Sequence, residues 1–233
     1  FSVIWAGTDD GNIQVTTNGG ATWDLVSENL PERRWASEVQ ASPHDPAMAY
    51  VSLNGYRYDE FNTYLYRTTD YGKTWTSVKG NLPEDVANVI AQDPKNPNIL
   101  YAGLDHGTYA SFNEGEEWFL VNEIPNVASY DMVVHPRDLE LVVGTHGRSV
   151  YVMDVKPLHQ VAEHRNETIK ALNIDNVRHS GQWGERSAPY REVNEPTVEW
   201  LYWIGDENIQ NETISLTIKD KDEKIVKELS DSA

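Results

Sequence analysis

The apolar and polar residues of this chain form short runs with the spacing of β-strands. Apolar runs end in a glycine turn at residues 3–7, 100–103 and 141–144, and alternating runs precede other turns. Runs of this kind, separated by Gly, Pro, Asn and Asp, predict an all-β protein. The predicted strands lie near residues 3–8, 12–17, 22–26, 36–42, 48–54, 63–69, 74–79, 87–92, 99–104, 107–112, 117–121, 129–134, 140–145 and 148–153.

One eight-residue phrase occurs three times, with the frame Ser/Thr-x-Asp/Asn-x-Gly-x-x-Trp, at residues 16–23, 68–75 and 111–118. The Asp or Asn side chain can accept bonds from nearby backbone N–H groups, and Gly tolerates a positive φ. Each copy therefore predicts a β-hairpin tip, whose tryptophan covers the turn and packs against the neighbouring repeat. Two copies carry Asn, which cannot act as a general base, so we predict a structural role. The residues given this role are Asn18, Gly20, Trp23, Asp70, Gly72, Trp75, Asn113, Gly115 and Trp118.

The spacing of the repeats predicts a partial β-propeller. Trp23, Trp75 and Trp118 are 52 and 43 residues apart, and prolines at positions 43, 94 and 136 run in step with them. A period of about 40–50 residues with four short strands is typical of propeller blades. Residues 1–154 thus predict about three and a half blades, fewer than the four to eight of a closed ring. We expect the chain to be the C-terminal portion of a larger propeller.

The repeated phrases resemble the Asp-box, or BNR, repeats of sialidases, sortilin-type receptors and xyloglucanase-type glycosidases. Four further runs resemble large secreted bacterial proteins of sortilin-like or glycosyl-hydrolase-like type: Leu-Pro-Glu-Arg-Arg-Trp at 30–35, Asn-Gly-Tyr-Arg-Tyr-Asp at 54–59, Tyr-Leu-Tyr-Arg at 64–67 and Gly-Thr-His-Gly-Arg at 144–148. The resemblance covers roughly residues 1–160. It implies a propeller fold and a secreted, periplasmic or cell-surface location. It does not imply one activity, because such repeats occur in proteins of unrelated function.

Beyond residue 154 the pattern changes. Residues 155–167 predict a connector in which Pro157 begins a short helix. Alternating runs at 196–204, 212–219 and 225–229 predict strands, the last two joined by a turn. Residues 168–233 therefore predict a partial immunoglobulin-like β-sandwich, which is short of the roughly seven strands of that fold.

The amino-acid composition narrows the classes of molecule that this chain is expected to bind. The chain has 37 acidic and 19 basic residues, a formal net charge of −18 and no cysteine. Nucleic acid is excluded as a partner, because the phosphates would be repelled. No apolar run is long enough for a membrane span, so no membrane insertion is expected. No cofactor or metal motif is present, and we expect neither. The open blade edges at 1–28 and 128–154 predict self-association.

One face of the predicted propeller carries the candidate ligand-binding residues. Loops joining second to third strands, and links between blades, share the face opposite the repeated turns. The second blade is longer than the third, and the excess lies in the loop at 55–62. Aromatic rings stack on sugars, and Arg binds carboxylates; alternatively, these loops pack on one another, with Arg34 or Arg57 paired to Asp59 or Glu60. The candidates are Arg33, Arg34, Trp35, Tyr56, Arg57, Tyr58, Asp59, His106, His146 and Arg148.

Two functions remain open from the sequence. The first is a scaffold that binds a carbohydrate or peptide on the long-loop face. The second is a glycoside hydrolase of xyloglucanase or sialidase type, with its active site shared with upstream blades. A glycosidase needs two carboxyl groups, and Asp9, Asp10 and Asp105 lie on the loop face as catalytic candidates. Asp-Gly and Asp-His-Gly are also ordinary turn sequences, so these residues equally fit a structural role.

Overall fold

The structure, a computed structural model, describes residues 2–173, 201–205 and 212–232. The chain divides into two compact units, Phe1–Lys156 and Pro157–Ala233. The first unit contains successive antiparallel sheets, and the prediction of an all-β fold that begins as a partial propeller is confirmed.

The first unit consists of four sheets that follow one another along the chain. Blade 1 has the order β1-β2-β3, blade 2 β4-β5-β6-β7, blade 3 β8-β9-β10-β11 and blade 4 β12-β13-β14. The strands are β1 (Ile4–Gly7), β2 (Ile13–Thr16), β3 (Asp24–Leu25), β4 (Trp35–Ala41), β5 (Ala49–Asn54), β6 (Tyr64–Thr68), β7 (Thr76–Ser77), β8 (Ala87–Gln92), β9 (Leu100–Leu104), β10 (Gly107–Ser111), β11 (Phe119–Leu120), β12 (Ser129–His135), β13 (Glu140–Thr145) and β14 (Val150–Asp154).

The three repeated turns have one hydrogen-bond pattern. In the second copy the Thr68 hydroxyl donates to Asp70 (2.8 Å) and accepts the Gly72 N–H (2.9 Å), while Asp70 accepts the Thr74 N–H (2.9 Å). The corresponding bonds in the first and third copies measure 2.9–3.0 Å. An amide oxygen thus replaces a carboxylate oxygen without altering the turn. The turn needs an acceptor at this position, and the negative charge is dispensable.

The tryptophan of each later repeat bonds to the preceding blade. The Trp75 indole N–H donates to the Val26 carbonyl (2.8 Å), and Trp118 donates to Val78 (2.9 Å). Each valine lies three residues after the tryptophan of the preceding copy, so the contact repeats with the sequence period. In the first copy Trp23 has no such bond among the described residues and is 42% exposed.

Two structural constraints require glycine at this position of the repeated turn. Gly72 and Gly115 have φ values of +81° and +88°, a conformation that is unfavourable for residues with a Cβ. A Cβ at Gly72 would also lie 2.6 Å from the Cβ of Val26, and one at Gly115 would lie 2.8 Å from that of Val78. The turn of one blade therefore rests directly on the outer strand region of the blade before it.

Apolar clusters fill the spaces between the blades. The cluster between blades 1 and 2 is built on Ile13, Leu30, Val51 and Leu53. A larger cluster lies between blades 2 and 3. Its buried members are Tyr50, Leu65, Val78, Leu82, Ala87, Ile90, Leu100, Ala102, Leu104 and Trp118. Because consecutive sheets cover each other's faces, each blade depends on its neighbour for burial.

The outer face of blade 4 is apolar and exposed. Val133, Val142 and Val152 are cross-strand partners on one side of this sheet. Val133 and Val152 are 57% and 60% exposed, whereas Leu141 and Val143 on the other side are fully buried. In blades 1 to 3 the corresponding face is covered by the next sheet. In blade 4 this face is exposed to solvent.

In its described residues, the second unit contains a helix and two antiparallel strand pairs. Helix α1 (Lys156–His164) begins at the end of the first unit. Strand β15 (Ile169–Ala171) pairs with β16 (Tyr202–Ile204), and β17 (Thr213–Lys219) pairs with β18 (Ile225–Ser232). Residues 174–200, which include most of the predicted strand at 196–204, lie outside the described residues. The immunoglobulin-like sandwich therefore stays a prediction.

Replacing the repeat tryptophans by phenylalanine tests the contact between blades. Trp118→Phe leaves the buried Val78 carbonyl without its donor, so we expect the free energy of unfolding to fall by about 1–3 kcal/mol. Trp23→Phe is the matched control, with an expected change below about 0.5 kcal/mol. Urea unfolding followed by far-UV circular dichroism measures both. Equal losses at Trp23 and Trp118 would contradict the assignment.

The exposed face of blade 4 predicts self-association of the chain. Light scattering should show a weight-average mass that rises with protein concentration, because contiguous apolar surface favours association. Val152→Lys should lower that mass, while Phe61→Lys, at a loop residue of similar exposure (57%), should not. A strict monomer at millimolar concentration would contradict the prediction.

Candidate functional site

The long loops and the starts of the inner strands lie at one edge of the first unit. Trp35 begins β4 opposite Asn54, and Ser129 begins β12 opposite Thr145, so each inner strand starts beside a loop tip. The same holds for β8, where Ala87 lies opposite Leu104. We call this edge the loop face. The repeated turns lie at the opposite ends of the strands.

Arg57 is stacked on an aromatic pair at the loop face. Its guanidinium carbon lies 3.9 Å from the centre of the Trp35 ring, and its Nε–H donates to the Tyr56 hydroxyl (3.4 Å). The Trp35 and Tyr56 rings are 6.4 Å apart. A 3-10 turn (Tyr56–Tyr58) begins after Asn54, whose side chain accepts the Tyr56 N–H (3.0 Å). The extra residues of this loop thus form an ordered turn that holds Tyr56 and Arg57 together.

Arg34 has a different environment from Arg57. Its guanidinium forms an ion pair with Glu60 and donates to the backbone carbonyls of Glu32 (3.1 Å) and Arg33 (3.3 Å). Glu60 also accepts a bond from the Tyr64 hydroxyl. The side chain of Arg34 is about one-fifth exposed. Arg34 therefore connects the link between blades 1 and 2 to the long loop. This is the alternative to ligand binding given by the sequence, in which the loops pack on one another.

Blade 3 and the link before it contribute a second group of side chains to the loop face. His106 Nδ1 lies 3.0 Å from Asp85, whose other carboxylate oxygen accepts the His106 backbone N–H (2.9 Å). Hydrogen bonding and charge from Asp85 raise the pKa of His106. Asp105 accepts a bond from the Asn88 amide (2.9 Å). The imidazole is 78% exposed and remains open to a ligand on its Nε2 side.

Tyr130 links the groups from the different blades. Its ring lies 5.4 Å from that of His146, both in blade 4. Burial raises the pKa of Tyr130, and Asp105 and Tyr56 raise it further, which places the phenol within electrostatic range of loops from blades 2 and 3. The tyrosine is 52% exposed. Tyr56, Asp105, Tyr130 and His146 therefore belong to one region of the loop face.

The three predicted catalytic acids do not form one group. Asp9 and Asp10 lie in the loop of blade 1, Asp105 lies in that of blade 3, and blade 2 stands between them. Asp10 accepts bonds from the Thr8 hydroxyl and from Asn12, and these bonds lower its pKa. A carboxyl with a lowered pKa is ionised at neutral pH and is a poor proton donor.

The remaining candidates are exposed loop residues. Arg33 and Asp59 have left-handed backbone conformations, with φ values of 56° and 55°. Arg148 lies in the turn between β13 and β14, where the Thr145 hydroxyl donates to the Ser149 carbonyl (2.7 Å). Tyr58 is 64% exposed, and the Arg34 guanidinium lies 6.0 Å from its ring. Their roles in binding remain predictions.

Sequence reasoning missed two acids on the inner strands. Glu38 and Asp131 each follow a β-bulge, in β4 and β12. Burial is the main cause of the raised pKa of Glu38, and the charge of Asp131 adds to it. Both residues lie five positions before the prolines at 43 and 136, which is the one signal in the sequence that relates them, although Val89 occupies the same position before Pro94.

The described residues contain no group of three or more His, Cys, Asp or Glu side chains placed to hold a metal ion. Within the same part of the chain, no helix has the length and apolar character needed to cross a membrane.

About half of the chain is similar in sequence to xyloglucanases. Over 143 residues, 55% of the chain, it is 27% identical to a xyloglucanase of Paenibacillus sp and 29% identical to the xyloglucanase Xgh74A of Acetivibrio thermocellus. The chain spans 14% and 17% of the length of these curated relatives. A solved xyloglucanase from Xanthomonas campestris aligns with a TM-score of 0.49 and 14% identity, over 66% of this chain and 29% of that one. No family model matches the chain.

Asp85 should control the titration of His106. Because the folded-state pKa of His106 is raised, its protonated form stabilises the fold below the unfolded-state pKa of about 6.5. This contribution is lost as the pH rises through the folded-state pKa. NMR titration should show a lower His106 pKa in Asp85→Asn, and a smaller decrease in the control Asp105→Asn, whose charge is the minor cause. Equal decreases would contradict the assignment.

Proposed function

We propose that the first unit is part of a propeller that binds a polysaccharide across its loop face. The observation that carries the proposal is the set of exposed aromatic rings there, contributed by Tyr56, Tyr58 and Phe61 of blade 2 and Tyr130 of blade 4. Sugar rings stack on exposed aromatic rings, and flanking polar groups bond their hydroxyls. Asp105, His106 and His146 supply such polar groups at the same face.

The relatives indicate which polysaccharide to test first. The proteins of Paenibacillus and Acetivibrio are named xyloglucanases, so a β-1,4-glucan bearing side branches is the proposed ligand. The chain corresponds to a small part of those proteins, and the ligand is therefore our proposal. A secreted or cell-surface location, Asp-box identity for the repeated turns and a sandwich at 168–233 belong to the same proposal.

Glycoside hydrolysis is the second candidate function, and Glu38 favours it. Hydrolysis needs one carboxyl group that keeps a proton and another that is ionised. The raised pKa of Glu38 suits a proton donor, and Asp131 interacts with it electrostatically. In this form of the proposal, Glu38 donates to the leaving oxygen while Asp131 or Asp105 serves as the ionised partner.

Binding of xyloglucan oligosaccharides to the purified chain tests the proposal. Isothermal titration calorimetry should show binding that Tyr130→Ala weakens by about fivefold or more, since stacking on one aromatic ring contributes about 1 kcal/mol. Trp23→Ala, which removes an exposed aromatic residue from the opposite face, is the matched control and should leave the affinity unchanged. No binding, or equal losses in both variants, would contradict a sugar site on the loop face.

The same samples separate binding from hydrolysis. Release of reducing ends that is lost in Glu38→Gln, with affinity retained, would support the second candidate. Loss of turnover in Asp9→Asn or Asp10→Asn instead would favour the acids of blade 1. Binding without any release of reducing ends would support a scaffold that binds the polysaccharide and does not hydrolyse it.

A further inference from the structure

Arg57 is a cation without an acidic partner on the loop face. Among the described residues, no carboxylate lies within ion-pair distance of its guanidinium, and its Nη atoms make no hydrogen bond. Arg34 pairs with Glu60, Arg67 with Glu114 and Arg137 with Asp138, whereas Arg33 and Arg148, like Arg57, have no ion pair among the described residues. Arg57 differs from these two in being held against an aromatic ring, in a chain where carboxylates are abundant.

The ring of Trp35 holds the Arg57 guanidinium in place of an acid. A distance of 3.9 Å from the ring centre is that of a close cation–π contact, which restrains the side chain without neutralising it. The contact is made through the guanidinium carbon, and the two Nη atoms make no hydrogen bond among the described residues. They therefore remain able to bind a carboxylate through two parallel hydrogen bonds.

The surroundings of Arg57 suit a sugar more than an isolated anion. Tyr56 accepts the Nε–H and is itself 43% exposed, and Tyr58 lies two positions after Tyr56 in the same turn. The guanidinium covers one face of Trp35, so the tyrosines are the rings left open for stacking. A ligand bound there would contact aromatic rings and one charged guanidinium group at the same time.

We propose that the Arg57–Trp35 stack is a subsite for an acidic sugar, one whose ring carries a carboxylate in place of the hydroxymethyl group. The subsite rests on the proposed polysaccharide-binding function of the loop face. The carboxylate binds the two Nη atoms of Arg57, and the sugar ring packs on Tyr56 or Tyr58. The glycan bound at this face then includes uronic acid units, and the face distinguishes charged from neutral chains.

A matched pair of oligosaccharides tests the subsite. The probes are cellohexaose and cellohexaose with one unit oxidised at C6 to glucuronic acid, titrated calorimetrically into the chain; a single acidic unit keeps the repulsion from the net charge of −18 small. We expect the oxidised form to bind about tenfold more tightly, as for one charge-assisted hydrogen-bonded pair. Raising NaCl from about 50 to about 500 mM should weaken the oxidised form selectively.

Variants of Arg57 identify the residue responsible. Arg57→Gln should abolish the preference, so that the two probes bind with equal affinity, and Arg57→Lys, which keeps the charge and loses the planar pair of Nη groups, should restore part of it. Lys73→Gln removes one positive charge from an exposed residue of a repeated turn, on the opposite face, and should leave the preference intact.

The outcomes separate the subsite from the proposed function. Equal affinity for both probes would overturn the acidic-sugar subsite and leave polysaccharide binding standing. Equal loss of preference in Arg57→Gln and Lys73→Gln would also overturn it, because the effect would come from net charge. Binding of neither probe would overturn the acidic-sugar subsite, and a lack of binding to xyloglucan oligosaccharides as well would overturn both proposals.

Discussion

The first unit depends on the contact between each repeat tryptophan and the blade before it. A three- or four-stranded sheet has two faces, and an isolated blade would leave at least one apolar face in water. The indole of Trp75 or Trp118 covers part of that face and satisfies a backbone carbonyl of the neighbour. The glycine of the same turn permits the close approach. One short phrase therefore supplies hairpin closure, burial and register between blades.

Concentrating these requirements at one end of the strands leaves the other end free to vary. The repeated turns have the same hydrogen bonds in all three copies, whereas the loops opposite them differ in length and composition. The long loop of blade 2 is held by Asn54 and by the Arg34–Glu60 pair rather than by a repeated motif. This division fits the general rule that rigid scaffolds present binding residues on variable loops.

Two arginines of the same face show how the surroundings decide the role of a side chain. Arg34 pairs with Glu60 and donates to two backbone carbonyls, so its charge is neutralised within the chain and its contribution is to loop packing. Arg57 is held by an aromatic ring, which leaves its charge available. Together with the exposed tyrosines, this arrangement is the basis of the proposal that the loop face binds a sugar chain, and Glu38 and Asp131 are the basis of the second, hydrolytic candidate.

The sequence by itself determined the architecture of the first unit, because each blade repeats its own local chemistry. The acceptor at Asp70, the glycine two residues later and the closing Trp75 predict a hairpin wherever they occur, and strand positions followed from the period. The sequence also located the loop face, since hairpin order fixes which turns share an edge. Those features depend on residues close together in the chain.

Only the tertiary structure decided which loop residues act together. Arg34 and Arg57 are equally basic in the sequence, and nothing local shows that Glu60 pairs with one and Trp35 stacks on the other. Glu38 and Asp131 are separated by two blade periods, so their electrostatic interaction exists only because the inner strands converge. Burial and charge coupling are properties of distances in space, which spacing along the chain does not encode.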